Sequence, residues 1–555
     1  MAGEKAGARE AGVLVSSFLH LMISQLATRV ISFLLNVLID RRLNAAEIGL
    51  SAVQFPLITT TIFMISREGF RRGCIRSDLG DNPHQSAAAR VVSVAWLSVP
   101  VGLLVTCATV GTILWWQQLP VADVRTQALL VLGVAAGVEL LSEPLYILAQ
   151  CLLLLRVRVV IETLATLGKS LVTYALLLQG IGKAGGLVFA YAQLTYALVL
   201  LVGYWGYFLS RARRRETTGA SVPLLPSRPK GGPLLDPSLL RVCGAFSWQS
   251  VEKLALAEGE KFVLVLSGSQ HNQGVYGIVE KLGSLVVRSV LQPFEESAFT
   301  MFSKAASSAN KKDDDAQKPD VRGVERVLLL AIKGVSLLGL VFVAFGPPYS
   351  YTLLRLLYGR DKSDSEAPTA LACYCLYVMV MALNGITESF LHATASERGL
   401  AWNNVALVVF SVCHVALSVA LVQARGTTGL ILANVCNMTL RITYSMVFIL
   451  RYFKGSPTFS IRRAVPSIRV IGTFIAAALT AHWAEVTFLD HDRFYTSAAT
   501  YIMVGGACFV GVLGAIYTAE RSFFSEIASL RRGSSASIGD AATGVGVVDG
   551  DKKRT

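Results

Sequence analysis

The chain has 555 residues, of which 53% are hydrophobic and only 16% charged, with a mean hydropathy of +0.53 and a formal net charge of +14. Soluble domains carry about 25% charged residues, which argues against a soluble multidomain enzyme and against disordered, collagen-like and disulfide-scaffold classes. The basic residues lie between apolar runs of about 20 residues, the pattern of a polytopic membrane protein and not of a nucleic-acid binder.

Apolar windows predict an all-α chain of about fourteen membrane helices. In order they cover 11–39, 46–66, 88–115, 127–151, 155–179, 184–209, 241–268, 273–303, 324–346, 370–394, 399–423, 428–450, 468–489 and 496–519. The fifth, seventh and eighth carry several charges each and are the weakest. The first is too long for a cleaved signal peptide and reads as retained.

Loop charge orients the chain. Lys5, Arg9, Arg67, Arg71, Arg72, Arg76, Arg156, Arg158, the run 211–215, Lys304, Lys311, Lys312, Arg398, Arg451, Lys454, Arg462 and Arg463 fall on one side. The other side holds little beyond Arg41, Arg42, Arg125, Lys183, Arg355, Arg360, Lys362, Arg425 and Arg493. The cation-rich side is the cytosolic one, so both termini are expected in the cytosol.

The segment Arg211 to Pro237 joins ArgAlaArgArgArg (211–215) to Pro223, Pro226, Pro229 and Pro233, and reads as a cytoplasmic linker over 211–240. It separates an N-terminal six-helix lobe (1–210) from a C-terminal six-helix lobe (241–455), followed by an extra helix pair (456–520). Two such halves suggest a transporter built from repeats, although no residue-level identity between them stands out. The Gly/Ser/Ala-rich tail, 521–555, is expected to be disordered and cytoplasmic. Lys552 and Lys553 near its end resemble a dilysine retrieval signal of the endoplasmic reticulum, a motif short enough to arise by chance.

Ionisable residues inside spans cost about 2.5–3.5 kcal/mol on insertion scales, so they face partners or wet cavities. In the first span Gln25, Arg29, Ser32 and Asn36 recur at helical spacing, beside His20, Ser24 and Thr28. The seventh carries Gln249, Lys253 and Glu260, with Lys261 adjoining. The eighth carries Lys281, Ser284, Arg288, Gln292 and Glu295, with Glu296 adjoining and Pro293 interrupting the helix. Two explanations stand: these stripes line a polar cavity, or they fix helix packing through buried pairs. Arg67 and Arg71 share one face at the end of the second span, either as a phosphate-binding fork or as positive-inside anchoring. Glu139 and Glu143 repel unless paired, and Arg158 or Lys169 could neutralise one; Arg158 and Glu162 can also pair with each other. Asn384, Glu388 and His392 make a stripe on the tenth helix, and Asn434, Asn437 and Arg441 one on the twelfth; both read as packing, gate or substrate contacts. Gly133 and Gly137 form a small-xxx-small pair.

Chemistry motifs are missing. GlyLysSer (168–170) has Thr163 where a phosphate loop needs glycine, and it lies in an apolar span. No His/Cys or His/Glu cluster has metal-ligand spacing, and no nucleophile motif sits on a loop. The nine cysteines are scattered, and Cys373 and Cys375 are too close together to be metal ligands and lack a histidine nearby. The sequon at Asn437 lies inside a span and is not expected to be glycosylated. No enzyme activity, cofactor or metal is expected, which leaves passive or ion-coupled movement of a polar or amphipathic molecule.

Several stretches in this chain resemble the Rft family, endoplasmic-reticulum proteins linked to translocation of dolichol-linked oligosaccharide for N-glycosylation. They are ArgGluGlyPheArgArgGlyCys (67–74), ValGluLeuLeuSerGluProLeuTyrIleLeuAlaGln (138–150), GluGlyGluLysPhe (258–262), GlnGlyValTyrGlyIleValGluLysLeuGlySerLeuValValArg (273–288) with GlnProPheGluGluSer (292–297), TyrCysLeuTyrValMetValMetAlaLeuAsnGlyIleThrGlu (374–388) and LeuIleLeuAlaAsnValCysAsnMetThrLeuArgIle (430–442). The resemblance spans about Ala11 to Arg521 and leaves out 216–240, 304–322 and the tail.

It implies the multidrug/oligosaccharidyl-lipid/polysaccharide exporter fold: two six-helix lobes around a central cavity plus a C-terminal helix pair. It also implies a dolichyl-diphosphate oligosaccharide as ligand in membrane lipid, moved from the cytosolic to the lumenal leaflet. Arg29, Arg67, Lys261 and Arg288 become candidates for the diphosphate. Glu260, Gln292, Glu295 and Glu296 become candidates for glycan contacts or gates. Other membrane proteins of the glycosylation pathway are partners the resemblance allows. An alternative within the same resemblance is a non-transporting binding or scaffolding protein that presents the lipid to glycosylation enzymes. A weaker alternative, on fold analogy alone, is an ion-coupled exporter of amphipathic cations, which a net cationic cavity would repel.

Overall fold

The computed structural model describes residues 31–75, 85–118, 120, 122–152, 154–180, 186–215, 223–228, 233–310, 322–457 and 459–526. Among the described residues there is no strand. The helices are α1 (Ile31–Asp40), α2 (Ala45–Ser66), α3 (Glu68–Ile75), α4 (Ala88–Gln117), α5 (Val124–Cys151), α6 (Leu155–Leu178), α7 (Leu187–Arg215) and α8 (Pro237–Ser267). They continue with α9 (Gln270–Val286), α10 (Gln292–Asn310), α11 (Arg322–Tyr358), α12 (Ala367–Thr394), α13 (Glu397–Tyr452), α14 (Ile468–Phe488) and α15 (Phe494–Ala519).

Ten of these segments are long and apolar enough to cross a membrane. The seventh and eighth predicted spans, α8 and α9–α10, are not among them; α8 carries six charged residues between Arg241 and Lys261. Each predicted span from 46–66 onward coincides with described helix. The first part of the first span, with His20, Ser24, Gln25, Thr28 and Arg29, lies outside the described residues, as does the dilysine pair. Helix α11 runs beyond its predicted end at 346 through Pro347 and Pro348 to Tyr358. There the Tyr501 hydroxyl donates to the Pro348 carbonyl at 2.7 Å and the Tyr349 and Tyr501 rings stack, so α15 braces the stretch where prolines remove backbone donors. Helix α13 is two helices meeting at Gly426, whose φ of 57° and ψ of −134° leave the helical region. Its arms run antiparallel: His414 meets Asn434 at 2.7 Å, and Phe410 meets Tyr444 further out.

The chain divides into two compact units, one of 1–278 with 356–362 and 422–427, the other of 279–355, 363–421 and 428–555. The division falls inside α9, whereas the sequence places its linker at 211–240. The reason is visible in α8, which packs on α3 within the first unit. A Cβ on Gly69 would lie 2.6 Å from the Ser247 backbone nitrogen, and one on Gly73 2.5 Å from Cys243 Sγ. Lipid tails are as apolar as leucine, so close approach of small residues supplies the packing attraction here. Gly133 and Gly137 act in this way, their missing Cβ atoms facing Val110 and Leu103 of α4 at 3.3 Å each. Part of the linker is docked: Trp96 Nε1 donates to the Leu224 carbonyl at 3.0 Å, and the Ser93 hydroxyl exchanges hydrogen bonds with Ser227.

In the second unit α10 lies on α12, where Phe302 meets Phe390 edge-on, and α14 and α15 close on α11 around Leu337, Phe474, Val512 and Ile516. The tail does not lose order at 521. Residues 521–526 form a helical turn, and Phe523 packs against that cluster; residues from 527 onward lie outside the described ones.

Candidate functional site

The polar side chains inside the spans fall into closed pairs and open faces. Arg67 and Arg71 stand one turn apart at the α2–α3 junction and meet Glu139 and Glu143, one turn apart on α5. Arg67 Nη1 lies 2.6 Å from Glu139 and 3.5 Å from Glu143. Arg71 grips Glu143 with two nitrogens, Nη2 at 2.8 Å. Arg71 also lies over the Tyr146 ring at 3.8 Å, and Arg158 over the same ring at 4.8 Å. Two cations thus neutralise two buried carboxylates, which resolves the repulsion the sequence posed. Of the partners the sequence offered, Arg158 pairs with Glu162 at 3.3 Å, and Lys169 donates to Gln193, which in turn donates to Glu139. The guanidinium of Arg67 is therefore committed to carboxylates in this structure.

A second closed group joins the two predicted stripes of the second unit. Asn384, Glu388 and His392 on α12 face Arg441 on the second arm of α13. Glu388 accepts from Asn384 at 2.9 Å, lies 3.5 Å from His392, and is held by Arg441. Helical period showed each stripe; the mating of the two depends on tertiary packing, which no local pattern encodes. Glu295 lies at the same place, its carboxylate packed on the Gly385 backbone so closely that a Cβ there would fall 1.8 Å from Oε1.

On α8, Glu260 accepts from the Tyr276 hydroxyl at 2.7 Å, and Lys261 lies 3.2 Å from Glu258; both are half-buried. Gln249 and Lys253 on that helix are exposed. Arg288 sits in a π-turn, Val287–Leu291, where the Gln292 amide bonds back to the Val287 carbonyl. It is exposed and makes no ion pair among the described residues. Gln292 and Glu296 are exposed beside it and joined at 3.1 Å.

A matching π-turn, Leu50–Gln54, lies in α2. Both π-turns end two residues before a proline, Pro56 or Pro293, in the short similar stretches SerAlaValGlnPhePro (51–56) and SerValLeuGlnPro (289–293). A widened turn lets the backbone absorb the amide that proline lacks. That short repeat is a signal the sequence carried and a search for longer identity passes over.

Within the first unit, α2, α4, α5, α8 and the start of α9 enclose a cavity of about 1050 Å³. Its wall is largely apolar, with Leu50, Thr112 and Phe262 among the lining residues. Gln54 donates to Gln273 at 2.6 Å within it, and Arg125 to Gln270 at 3.1 Å. Such a chamber suits an apolar chain bearing a few polar groups.

The sequence matches the family described as "Rft-1: Rft protein" over residues 14–530. It is 34% identical over 513 residues to the Man(5)GlcNAc(2)-PP-dolichol translocation protein RFT1 of Xenopus tropicalis, covering 90% of this chain and 93% of that one. The protein of the same name from Mus musculus is 32% identical over 514 residues, covering 90% and 93%. The one from Dictyostelium discoideum is 29% identical over 535, covering 91% and 94%. Among solved structures, the inward closed conformation of the lipid II flippase MurJ superposes with a TM-score of 0.58 at 12% identity, covering 90% of this chain and 99% of that one. An inward-facing multidrug resistance MATE family transporter of the MOP superfamily gives 0.55 at 14%, covering 77% and 96%. The likeness to these two structures is one of fold.

Proposed function

This protein belongs to the Rft family, and we propose on that footing that it is a transport protein, not an enzyme, that moves a dolichyl-diphosphate-linked oligomannose across the endoplasmic-reticulum membrane. The head group passes from the cytosolic to the lumenal leaflet for protein N-glycosylation, while the dolichyl tail stays in lipid. In this reading both termini are cytosolic, the lobes are 1–210 and 241–455, and 456–520 is the added helix pair.

The observation that carries the reading is Arg288. It is an exposed cation with no ion pair among the described residues, in the stretch read as the eighth span, where an uncompensated charge is costly unless it meets water or an anion. Arg presents a fork of donors suited to a diphosphate. The exposed Gln292–Glu296 pair next to it offers acceptors and donors for sugar hydroxyls. Lys261, Glu260, Glu295 and Arg29 complete the proposed set. Arg67, already bound to two carboxylates, takes a supporting place in it.

The test is translocation of labelled lipid-linked oligosaccharide in vesicles holding the purified protein. Wild type is expected to accelerate it over empty vesicles and Arg288→Ala is not. Binding without acceleration by the wild type would instead establish the scaffolding alternative.

A further inference from the structure

The start of α11 turns Arg322, Arg326, Leu329 and Lys333 toward a cavity of about 550 Å³ in the second unit. Their spacing of three to four residues puts them on one helix face. Arg463, on the 3-10 turn Ile461–Ala464, and Phe523, on the helical turn 521–526, line the same cavity. None of these residues belongs to the transport set above.

Four cations line this cavity: Arg322, Arg326, Lys333 and Arg463. Against them stand the lining Glu325 and Glu526, and Glu520, which holds Lys333 at 2.8 Å. Arg326 lies 3.5 Å from Glu526. Four positive charges against three negative leave an excess of one. Arg463 is exposed and makes no ion pair among the described residues, so the excess resides on a donor free to turn toward a ligand. The first amides of α11 add the positive end of a long helix dipole. Behind the cationic mouth the wall is hydrocarbon, with Phe523 packed 3.7 Å from where a Cβ of Gly334 would stand. The cavity lies where α11 begins and α15 has just ended, at the ends of two helices long and apolar enough to cross a membrane.

We propose that this cavity binds a phosphate group carrying a single net negative charge, either the head group of an anionic phospholipid or a soluble phosphate compound. Arg463 and Arg326 hold the phosphate oxygens, and Leu329 and Phe523 contact what is attached to it. The hydrocarbon wall favours the lipid source, because a soluble phosphate would use only the mouth. Basic pockets among membrane helices at a cytosolic surface are suited to such head groups; that side rests on the orientation proposed above.

The test uses the full-length protein in detergent micelles, titrated with short-chain phosphatidylinositol, short-chain phosphatidylcholine or inorganic phosphate, with the thermal midpoint as readout. Phosphatidylinositol is expected to raise the midpoint, and the net-neutral phosphatidylcholine is not. Affinity is expected to fall about tenfold in Arg463→Gln and in Arg326→Gln, the loss of one charge-assisted contact. Arg463→Lys should keep part of it, and Arg451→Gln, a basic change outside the cavity, all of it. Because Arg463 is exposed and makes no ion pair among the described residues, Arg463→Gln should keep the ligand-free midpoint, so a lost response is not lost folding. Inorganic phosphate reproducing an Arg463-dependent shift would assign a soluble source; a shift with phosphatidylinositol alone would assign the bilayer. If Arg463→Gln and Arg326→Gln both respond to every anion as wild type does, the proposal is overturned.

Discussion

Arg441 Nη2 lies 2.7 Å from both carboxylate oxygens of Glu388, joining the second arm of α13 to α12 across 53 residues of sequence. Both side chains are mostly buried, and Glu388 also accepts from Asn384. Removing one partner strands the other charge. Arg441→Ala is expected to destabilise the protein by about 2 kcal/mol, read as a lowered thermal midpoint. The double variant Arg441→Gln/Glu388→Gln should recover part of that loss, because two neutral amides leave no stranded charge.

Arg288 and Arg67 should separate in a second experiment. Arg71→Ala or Arg67→Ala opens the pairing with the buried Glu139 and Glu143 of α5, and about 3–5 kcal/mol of stability is expected to go with either. Arg288→Ala breaks no pair and should leave stability within about 0.5 kcal/mol, as for an ordinary surface change. A matched loss of stability in Arg288→Ala would mean that this side chain serves the fold and not a ligand.

Glycine substitutions test the close helix contacts. A Cβ on Gly274 would fall 1.8 Å from the Ala45 backbone oxygen, which cannot step aside as a side chain can. Gly274→Ala is expected to cost about 1–3 kcal/mol or to prevent accumulation of folded protein. Gly206→Ala, in α7 with nothing within 4 Å, should be neutral or stabilising by up to about 1 kcal/mol through helix propensity. Thermal midpoints of the two variants in one detergent give the comparison.

Asp236 caps α8, accepting from the Ser238 hydroxyl at 2.6 Å and from the Ser238 and Leu239 amides, with Arg90 at 3.4 Å. The Ser238 hydrogen bond leads the interactions that hold its carboxyl below the usual aspartate value, against a smaller opposing effect of burial. A depressed carboxylate contributes stability above its unfolded pKa of about 3.9 and loses it as pH falls through the lower folded value. Asp236→Ala should therefore cost about 1 kcal/mol near neutral pH, and its gap from wild type should close below about pH 4. A gap that persists unchanged in acid would point to some interaction other than the ionised cap.

The spans were legible because a bilayer demands long apolar runs, and hydropathy reports that demand directly. Charged helices such as α8, read as the seventh span, were the least legible, since six charged residues from Arg241 to Lys261 mask their apolar content. Polar stripes were legible from period: 384, 388 and 392 on one helix, 434, 437 and 441 on another. Their pairing was not, and neither was that of Arg67 and Arg71 with carboxylates 72 residues away, because only packed helices bring such residues together. Arg67 looked like a ligand residue for the same reason it is a structural one: both tasks need a buried guanidinium facing anionic oxygens.

Gly426 carries a different kind of weight. The apolar stretch Arg398–Tyr452 has 55 residues, and as one straight helix it would reach about 80 Å, far more than a hydrocarbon core of about 30 Å. The turn at one glycine makes it two crossings in place of one, and so fixes the parity of the count. Every segment after Gly426, including α14, α15 and the cavity at Arg463, owes the membrane face on which it emerges to that single left-handed residue.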